Sequence, residues 1–304
     1  MTKKHILNWS TRVGAVTCLS ASFLLTGCGG KSAGDKKAAI QVKGSDTMVN
    51  LAGDWAMEYK KVKPAVEIEV SGGGSGVGIA ALIKGTTDIA DASRNMKPAE
   101  IEQAKKASGK DPKEFIIGYD ALGIYVHKDN PINEISTEQI AEIYKEGGSI
   151  TKWSDLGIKM PAGSDEIIRV SRQSSSGTYE FLREHVLKNK DFKLGSRDMN
   201  GSKEVVELVA GTIGAIGYSG MGYNEPGKVK MLKVSTKSGD PAIEPSVANT
   251  LNKSYPIARS LQVYTLGEPT GEVAEYINWT MTDAGQKIVE QSGYVPLAPE
   301  LRKK

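Results

Sequence analysis

One short segment of this sequence, residues 171–182, combines an arginine, several serines and threonines, and a glycine. Arg172 follows the apolar run 167–170 and can offer a bidentate guanidinium fork to an oxyanion. Apolar residues then recur at helical spacing, so Ser176 is a candidate N-cap, and the backbone N–H groups after it would point out of the helix end. Such an end attracts anions. The segment therefore suits a tetrahedral oxyanion, although a helix cap with surface polar residues would have the same composition.

Two further turns share this design, with a strand-like run, then small hydroxyl residues and glycine, then an amphipathic helical segment. The first turn is Gly44-Ser45-Asp46-Thr47, and the second is residues 71–76, which include Ser75. In an open α/β sheet, strand-to-helix turns lie at the carboxyl ends of the strands, where ligands bind. The sequence therefore predicts one anion site assembled from several turns.

The elements that must position these turns alternate between strand and helix from Ala39 to about residue 107, which predicts a parallel sheet with helices on both faces. Two β-rich runs follow, at residues 115–119 and 122–126. A second α/β block extends from residue 137 to residue 218, and a strong strand and two helices finish the chain.

This order fits two α/β lobes joined by two strands, one near Ile124 and one near Leu261. Lobe 1 is expected to comprise residues 39–125 and 261–304, and lobe 2 residues 126–260. The length is sufficient for two lobes of ordinary size.

The N-terminal segment carries Lys3, Lys4 and Arg12 before an apolar run, and this pattern predicts a secretory signal peptide over residues 1–27. Its end, Leu25-Thr26-Gly27-Cys28, resembles the lipobox of bacterial lipoproteins, which implies a lipid on Cys28 and a flexible linker over residues 28–38. No later run reaches the roughly 18 apolar residues that span a bilayer. We therefore expect an extracytoplasmic protein tethered to the membrane by its lipid.

Charge and composition limit the partners and cofactors. Loss of the signal peptide takes the Lys and Arg total from 39 to 36, equal to the 36 Asp and Glu residues, so no nucleic-acid partner is expected. Two cysteines and three histidines leave almost no ligands for a transition metal, and neither a metal site nor a cofactor is expected. His127 and His185 are the only histidines after the signal peptide, and no motif surrounds them as in a catalytic triad, so an enzyme is not expected.

Seven motifs in this order resemble the phosphate-specific substrate-binding proteins of bacterial ABC importers. They are Gly44-Ser45-Asp46-Thr47, the glycine-rich turn ending in Ser75, residues 88–94, Trp153, Arg172 with Ser176-Gly177-Thr178, residues 214–218, and residues 255–257. The resemblance extends from about Ala39 to Pro299. It implies the type II periplasmic-binding-protein fold, with phosphate in the cleft between two lobes and delivery to membrane permease subunits. We also expect a monomer.

The resemblance also implies the site residues. Thr47 and Ser75 would donate from the first lobe, and Arg172, Ser176, Gly177 and Thr178 from the second. Ser45, Asp46, Ser93 and Arg94 complete the expected phosphate site. A carrier or sensor for another oxyanion, such as sulfate, molybdate or a phosphonate, would use the same turns.

The sequence departs from the family pattern at Ser93-Arg94, where many members have an aspartate that accepts the phosphate proton. A fixed carboxylate separates phosphate, which keeps a proton near neutral pH, from sulfate, which has none. We expect Asp46 to be this carboxylate. Asp91 and Asp88 are the alternatives, and either could instead pair with Arg94.

Overall fold

The structure is a computed structural model that describes residues 39–161 and 163–302. The predicted signal peptide, the linker and the lipidation site at Cys28 lie outside the described residues. None of the described helices is long and apolar enough to cross a membrane.

The first part of the described chain alternates strands and helices, as predicted. Its elements are β1 (Ile40–Gly44), α1 (Val49–Val62), β2 (Ile68–Ser71), α2 (Ser75–Ile83), β3 (Ile89–Ala92) and α3 (Pro98–Ser108). The chain then passes into β4 (Pro112–His127), its longest strand.

A second group of elements follows β4. It contains β5 (Glu134–Ser136), α4 (Thr137–Tyr144), a 3-10 turn (Trp153–Leu156), β6 (Ile168–Arg172), α5 (Gly177–His185), β7 (Arg197–Met199), α6 (Ser202–Ala210), β8 (Ala215–Gly220), a 3-10 turn (Met221–Tyr223), β9 (Val229–Met231), β10 (Lys233–Ser235) and α7 (Val247–Leu251). The last elements are β11 (Ala258–Leu266), α8 (Gly271–Thr280), α9 (Asp283–Gln291) and a 3-10 turn (Pro299–Leu301).

Most strands form one mixed sheet in the order β2-β1-β3-β11-β4-β8-β6-β7, with β9 also paired to β4. β1 is parallel to β2 and β3, and β6 is parallel to β7 and β8. β11 is antiparallel to both of its neighbours, β3 and β4. The sheet is therefore parallel near its two ends and antiparallel where the chain crosses between them.

β4 joins the two parts of the sheet. Its first section, Pro112 to Ala121, pairs with β11, and its second section, Leu122 to Val126, pairs with β8. The two β-rich runs predicted at 115–119 and 122–126 are confirmed as strand, and the structure joins them through the fully buried Asp120 and Ala121 into one continuous strand.

The core is divided along the same line. Residues before Asp120 and after Leu261 form apolar clusters with α1, α2, α8 and α9. Residues from Ala121 to Ile257 form two other clusters, with α4, α5 and α6. Each part of the sheet thus has its own core, and the lobe boundaries stay a prediction.

Candidate functional site

The turn between β1 and α1 depends on a glycine. Gly44 has a φ of +148°, and a Cβ at this position would lie 2.1 Å from the carbonyl oxygen of Asp91. The close approach lets the Ser45 N–H donate to that oxygen over 2.9 Å. Since the side chains of Ser45 and Thr47 are both buried, the turn holds two hydroxyl groups inside the protein.

The turn between β2 and α2 is tied to the first turn. The Gly74 N–H donates to the carbonyl oxygen of Gly44 over 2.9 Å, and the Gly73 N–H donates to Asp46 Oδ1 over 2.7 Å. Ser75 follows as the first residue of α2 and is fully buried.

Three serines, one from each of three turns, meet at the carboxyl ends of β1, β2 and β3. Ser45 Oγ donates to Ser93 Oγ over 2.9 Å, and the Ser93 N–H donates to Ser75 Oγ over 3.1 Å. The Oγ atoms of Ser75 and Ser93 are 3.4 Å apart. In this serine cluster, Ser45, Ser75 and Ser93, two of the predicted turns meet at the end of β3.

The N-terminus of α5 faces the serine cluster. Ser176 is its N-cap, as predicted, and its Oγ accepts from the N–H groups of Thr178 and Tyr179. A Cβ on Gly177 would lie 2.3 Å from Ser75 Oγ and 2.8 Å from Ser93 Oγ. Thr178 Oγ1 is 3.0 Å from Thr47 Oγ1. A helix N-terminus surrounded by hydroxyl groups is a favourable environment for an anion.

Arg172, at the end of β6, is buried beside this site with spare donor capacity. Its Nη1 donates to Ser202 Oγ over 2.9 Å, and its Nη2 donates to Asp46 Oδ2 and to the carbonyl oxygen of Asn200. Its Nε is buried without a hydrogen-bond partner. Burial lowers the pKa of Arg172, and the Asp46 carboxylate opposes this shift. A buried guanidinium with an unused N–H can accommodate an anionic ligand.

Asp46 lies in the site, between the two turns and Arg172. Its side chain is only 12% exposed, and its two oxygens accept from the Gly73 N–H and from Arg172. Asp88 lies elsewhere and accepts the Gln41 N–H. Asp91 shares a face of β3 with the core residue Ile89, and burial raises the pKa of its carboxyl to about 8. Asp46 is therefore the one of these three carboxylates that is placed beside Arg172.

Arg94 lies next to the Ser75 turn, but its guanidinium is engaged. Nη1 and Nη2 bind the two carboxylate oxygens of Glu100 over 2.8 and 2.7 Å, and Nη1 also donates to the carbonyl oxygen of Asn95. Burial acts to raise the pKa of Glu100, but the hydrogen bonds from Arg94 and the Lys97 N–H outweigh it and lower that pKa. The suggested pairing of Arg94 with Asp88 or Asp91 was wrong, since its partner is Glu100.

An ion pair lies beneath the two threonines, formed by Arg259 of β11 and Asp120 of β4, and it was not predicted from the sequence. Arg259 Nε and Nη2 donate to Asp120 Oδ2 over 2.9 and 2.8 Å. The same guanidinium reaches Thr178 Oγ1 and Thr47 Oγ1 over 3.1 and 3.3 Å. The available signal was one acid between the β-rich runs 115–119 and 122–126 and one base in the strong strand near Leu261.

Further contacts join the two sides of the site. The Gly76 N–H donates to the carbonyl oxygen of Ser175 over 3.0 Å, and Ser175 Oγ donates to the carbonyl oxygen of Gly73 over 3.1 Å. The Lys97 ammonium lies 2.8 Å from Glu180 of α5. The site is thus enclosed by both parts of the sheet.

Comparisons with known proteins agree with this architecture. Residues 31–284 match the family model described as the PBP superfamily domain. The phosphate-binding protein PstS of Pseudomonas aeruginosa is 34% identical over 271 residues, which cover 86% of this chain and 84% of the relative. PstS of Staphylococcus epidermidis is 33% identical over 296 residues, which cover 92% of this chain and 86% of the relative.

Solved structures are similar as well. A Clostridium perfringens protein, described as a phosphate ABC transporter substrate-binding protein and solved with bound phosphate, superposes with a TM-score of 0.76 at 30% identity, over 86% of this chain and all of that one. An ABC-type phosphate transport receptor from Vibrio cholerae superposes with a TM-score of 0.67 at 25% identity, over 85% of this chain and all of that one. These neighbours confirm the predicted type II periplasmic-binding-protein fold, and the chain belongs to the PBP superfamily and, within it, to the PstS family of phosphate-binding proteins.

Proposed function

We propose that this protein binds inorganic phosphate outside the cytoplasm and delivers it to the permease subunits of an ABC importer. One observation carries the proposal: the N-terminus of α5 and the serine cluster approach each other so closely that a Cβ on Gly177 would lie 2.3 Å from Ser75 Oγ. Together these two elements supply hydroxyl groups and a helix N-terminus, which are donors that suit a tetrahedral oxyanion. The bound phosphate of the Clostridium perfringens neighbour supports this choice of ligand.

The proposed ligands come from both parts of the sheet. The hydroxyl donors are Ser45, Thr47, Ser75, Ser93, Ser176 and Thr178, joined by the backbone at Gly177 and by Arg172. Arg94 is held by Glu100, and we propose that it contributes positive charge beside the Ser75 turn. Asp46 completes the site as an acceptor.

The binding energy required is within reach of such a site. A hydrogen bond to a charged group contributes about 1.5–3 kcal/mol net. Micromolar affinity corresponds to about 8 kcal/mol. About six such bonds reach that value even after part of the energy is lost to desolvation and to closure of the site.

Isothermal titration with phosphate, arsenate and sulfate tests the proposal. We expect stoichiometric binding of phosphate without turnover and no measurable binding of sulfate. Tight binding of sulfate, molybdate or a phosphonate in place of phosphate would favour the alternative of a different oxyanion carrier. Release of a reaction product would contradict a binding protein and indicate an enzyme.

Asp46 is proposed to accept the proton of bound phosphate. An asparagine presents an N–H₂ group as well as an oxygen, so Asp46→Asn should no longer repel an anion that lacks a proton. We expect about tenfold weaker phosphate binding, together with detectable sulfate binding by titration.

Asp88→Asn and Asp91→Asn serve as matched variants for that experiment, because they remove the two alternative carboxylates. Selectivity should be unchanged in both. A loss of sulfate exclusion in either of them, with Asp46→Asn still selective, would transfer the role to that residue.

The remaining parts of the proposal concern the cellular setting. We propose that Cys28 carries a lipid that anchors the protein to the outer face of the cell membrane, and that the protein acts as a monomer of two lobes that close on phosphate. Mass spectrometry of the mature N-terminus tests the anchor, since an unmodified or uncleaved Cys28 would contradict it. Light scattering with and without phosphate tests the monomer.

A further inference from the structure

Arg259 and Asp120 occupy the place where the chain crosses between the two parts of the sheet. Their Cα atoms are opposite each other in the antiparallel ladder of β11 and β4. Their side chains are 2% and 0% exposed, so both charges are removed from water. A buried ion pair is costly unless every donor and acceptor is satisfied.

All five N–H groups of Arg259 have an acceptor within hydrogen-bond distance. Nε and one N–H of Nη2 bind Asp120, and the other N–H of Nη2 reaches Thr47 Oγ1 over 3.3 Å. Nη1 binds the carbonyl oxygen of Ser93 over 3.3 Å and Thr178 Oγ1 over 3.1 Å. A guanidinium has five N–H donors and no acceptor. Arg259 therefore has no donor left for a ligand, unlike Arg172, whose Nε has no partner.

The hydrogen bonds from Arg259 determine how its two threonine partners can act. A hydroxyl group has one hydrogen to donate and two lone pairs that accept. Because Arg259 donates to both oxygens, the hydrogens of Thr47 and Thr178 remain available to point at each other or at a ligand. An anion oxygen beside them would thus meet hydroxyl groups that are oriented as donors.

We infer that Arg259 is a positioning residue of the phosphate site, which fixes Thr47 and Thr178 as hydrogen-bond donors while Asp120 holds its guanidinium in place. The inference rests on the proposed function, since it assigns a role in the same site. It implies that the phosphate oxygen between the threonines is unprotonated, so that the phosphate proton lies on another oxygen. Because the negative charge of Asp120 balances that of Arg259, Arg259 contributes to phosphate binding more through geometry than through net charge.

Double-mutant cycles test this role. Arg259→Lys keeps the positive charge but loses the planar fork that reaches Asp120 and both threonines. We expect phosphate affinity to fall about tenfold in Arg259→Lys. The loss should be clearly smaller in a Thr178→Val or a Thr47→Val background, because the hydroxyl group through which Arg259 acts is then absent.

A pH series gives a second readout. In Arg259→Lys the threonines are no longer fixed as donors, so a protonated phosphate oxygen is better tolerated between them. The ratio of the phosphate affinity below the second ionisation of phosphate to the affinity above it should therefore be higher than in the wild type. A merely structural role would weaken binding at all pH values by the same factor. If Arg259→Lys does not fold, Asp120→Asn is put through the same cycles, since it keeps the guanidinium and removes its anchor.

Arg302→Lys is the matched control, because the contacts of Arg302 are with Asp283 and the carbonyl oxygen of Leu297, neither of which is a proposed phosphate ligand. Its phosphate affinity should equal that of the wild type. Two results together would overturn the inference. The first is that the fold-losses of phosphate affinity in Arg259→Lys and in each threonine variant simply multiply in the double variants. The second is that the ratio of affinities at low and high pH is unchanged in Arg259→Lys. Failure of the wild type to bind phosphate would instead refute the proposed function, and the two failures are thereby distinguished.

Discussion

Arg172 and Arg259 are both buried at the site, but their N–H groups differ in how many bind other protein atoms. Arg259 gives all five to the protein, and Arg172 keeps Nε free. A buried donor without a partner costs about 1–3 kcal/mol, and a ligand oxygen can recover that cost. Direct contact with phosphate is therefore proposed for Arg172 and not for Arg259.

Replacement of Arg172 by lysine tests this difference. The ammonium keeps the charge but cannot reach Ser202, Asp46 and phosphate together as the planar guanidinium can. We expect phosphate affinity measured by titration to fall by about tenfold to a hundredfold. Arg169→Lys is the control on the same strand, because Arg169 Nη2 binds the carbonyl oxygen of Leu194. Equal affinities of the Arg172 variant and the control would exclude a direct contact.

At the scale of elements, the turns of the site were predictable and the ion pair below them was not. Small hydroxyl residues and glycine follow β1, β2 and β6, and the regular order of strands and helices places such turns at one edge of a sheet. Arg259 and Asp120 are 139 residues apart and become neighbours only through the register of β4 with β11. No local pattern encodes that register, because a single charge in a strand is equally compatible with an exposed edge.

The helix end at Gly177 gives an element-scale prediction. In Gly177→Ala the methyl group would lie 2.3 Å from Ser75 Oγ and 2.8 Å from Ser93 Oγ, so the end of α5 and the serine cluster would have to move apart. This shift separates the hydroxyl groups and the helix end that we assign to phosphate, so phosphate affinity should fall at least about tenfold. Each part of the sheet has its own core and should stay folded. Titration and thermal unfolding measure the two effects separately.

Gly53→Ala is the matched control, because Gly53 lies in α1 and a Cβ there would meet no atom within 4 Å. This variant should gain up to about 1 kcal/mol of stability. Its phosphate affinity should equal that of the wild type. If Gly177→Ala bound phosphate as tightly as the wild type, the ligand would not be bound at the N-terminus of α5.

For the whole molecule, several contacts across the site connect the two parts of the sheet. The loop at Ser175 exchanges two hydrogen bonds with the backbone of Gly73 and Gly76, and Lys97 pairs with Glu180. The Lys97 side chain is 42% exposed, whereas Glu180 is 12% exposed. Such a half-exposed pair contributes about 1 kcal/mol at most, so it can stabilise the contact between the two parts of the sheet only slightly.

Lys97→Gln should therefore weaken phosphate binding by no more than about fivefold. The change should lie in the dissociation rate, because the ion pair exists only while the two parts of the sheet are together. The difference from the wild type should shrink as salt is added, since salt screens a half-exposed pair. Stopped-flow measurement of phosphate release over a salt series provides both quantities. Lys105→Gln is the control, because Lys105 pairs with Asp111 in the same part of the chain and does not cross the site. Equal release rates for Lys97→Gln and the wild type at low salt would show that this ion pair does not contribute to closure.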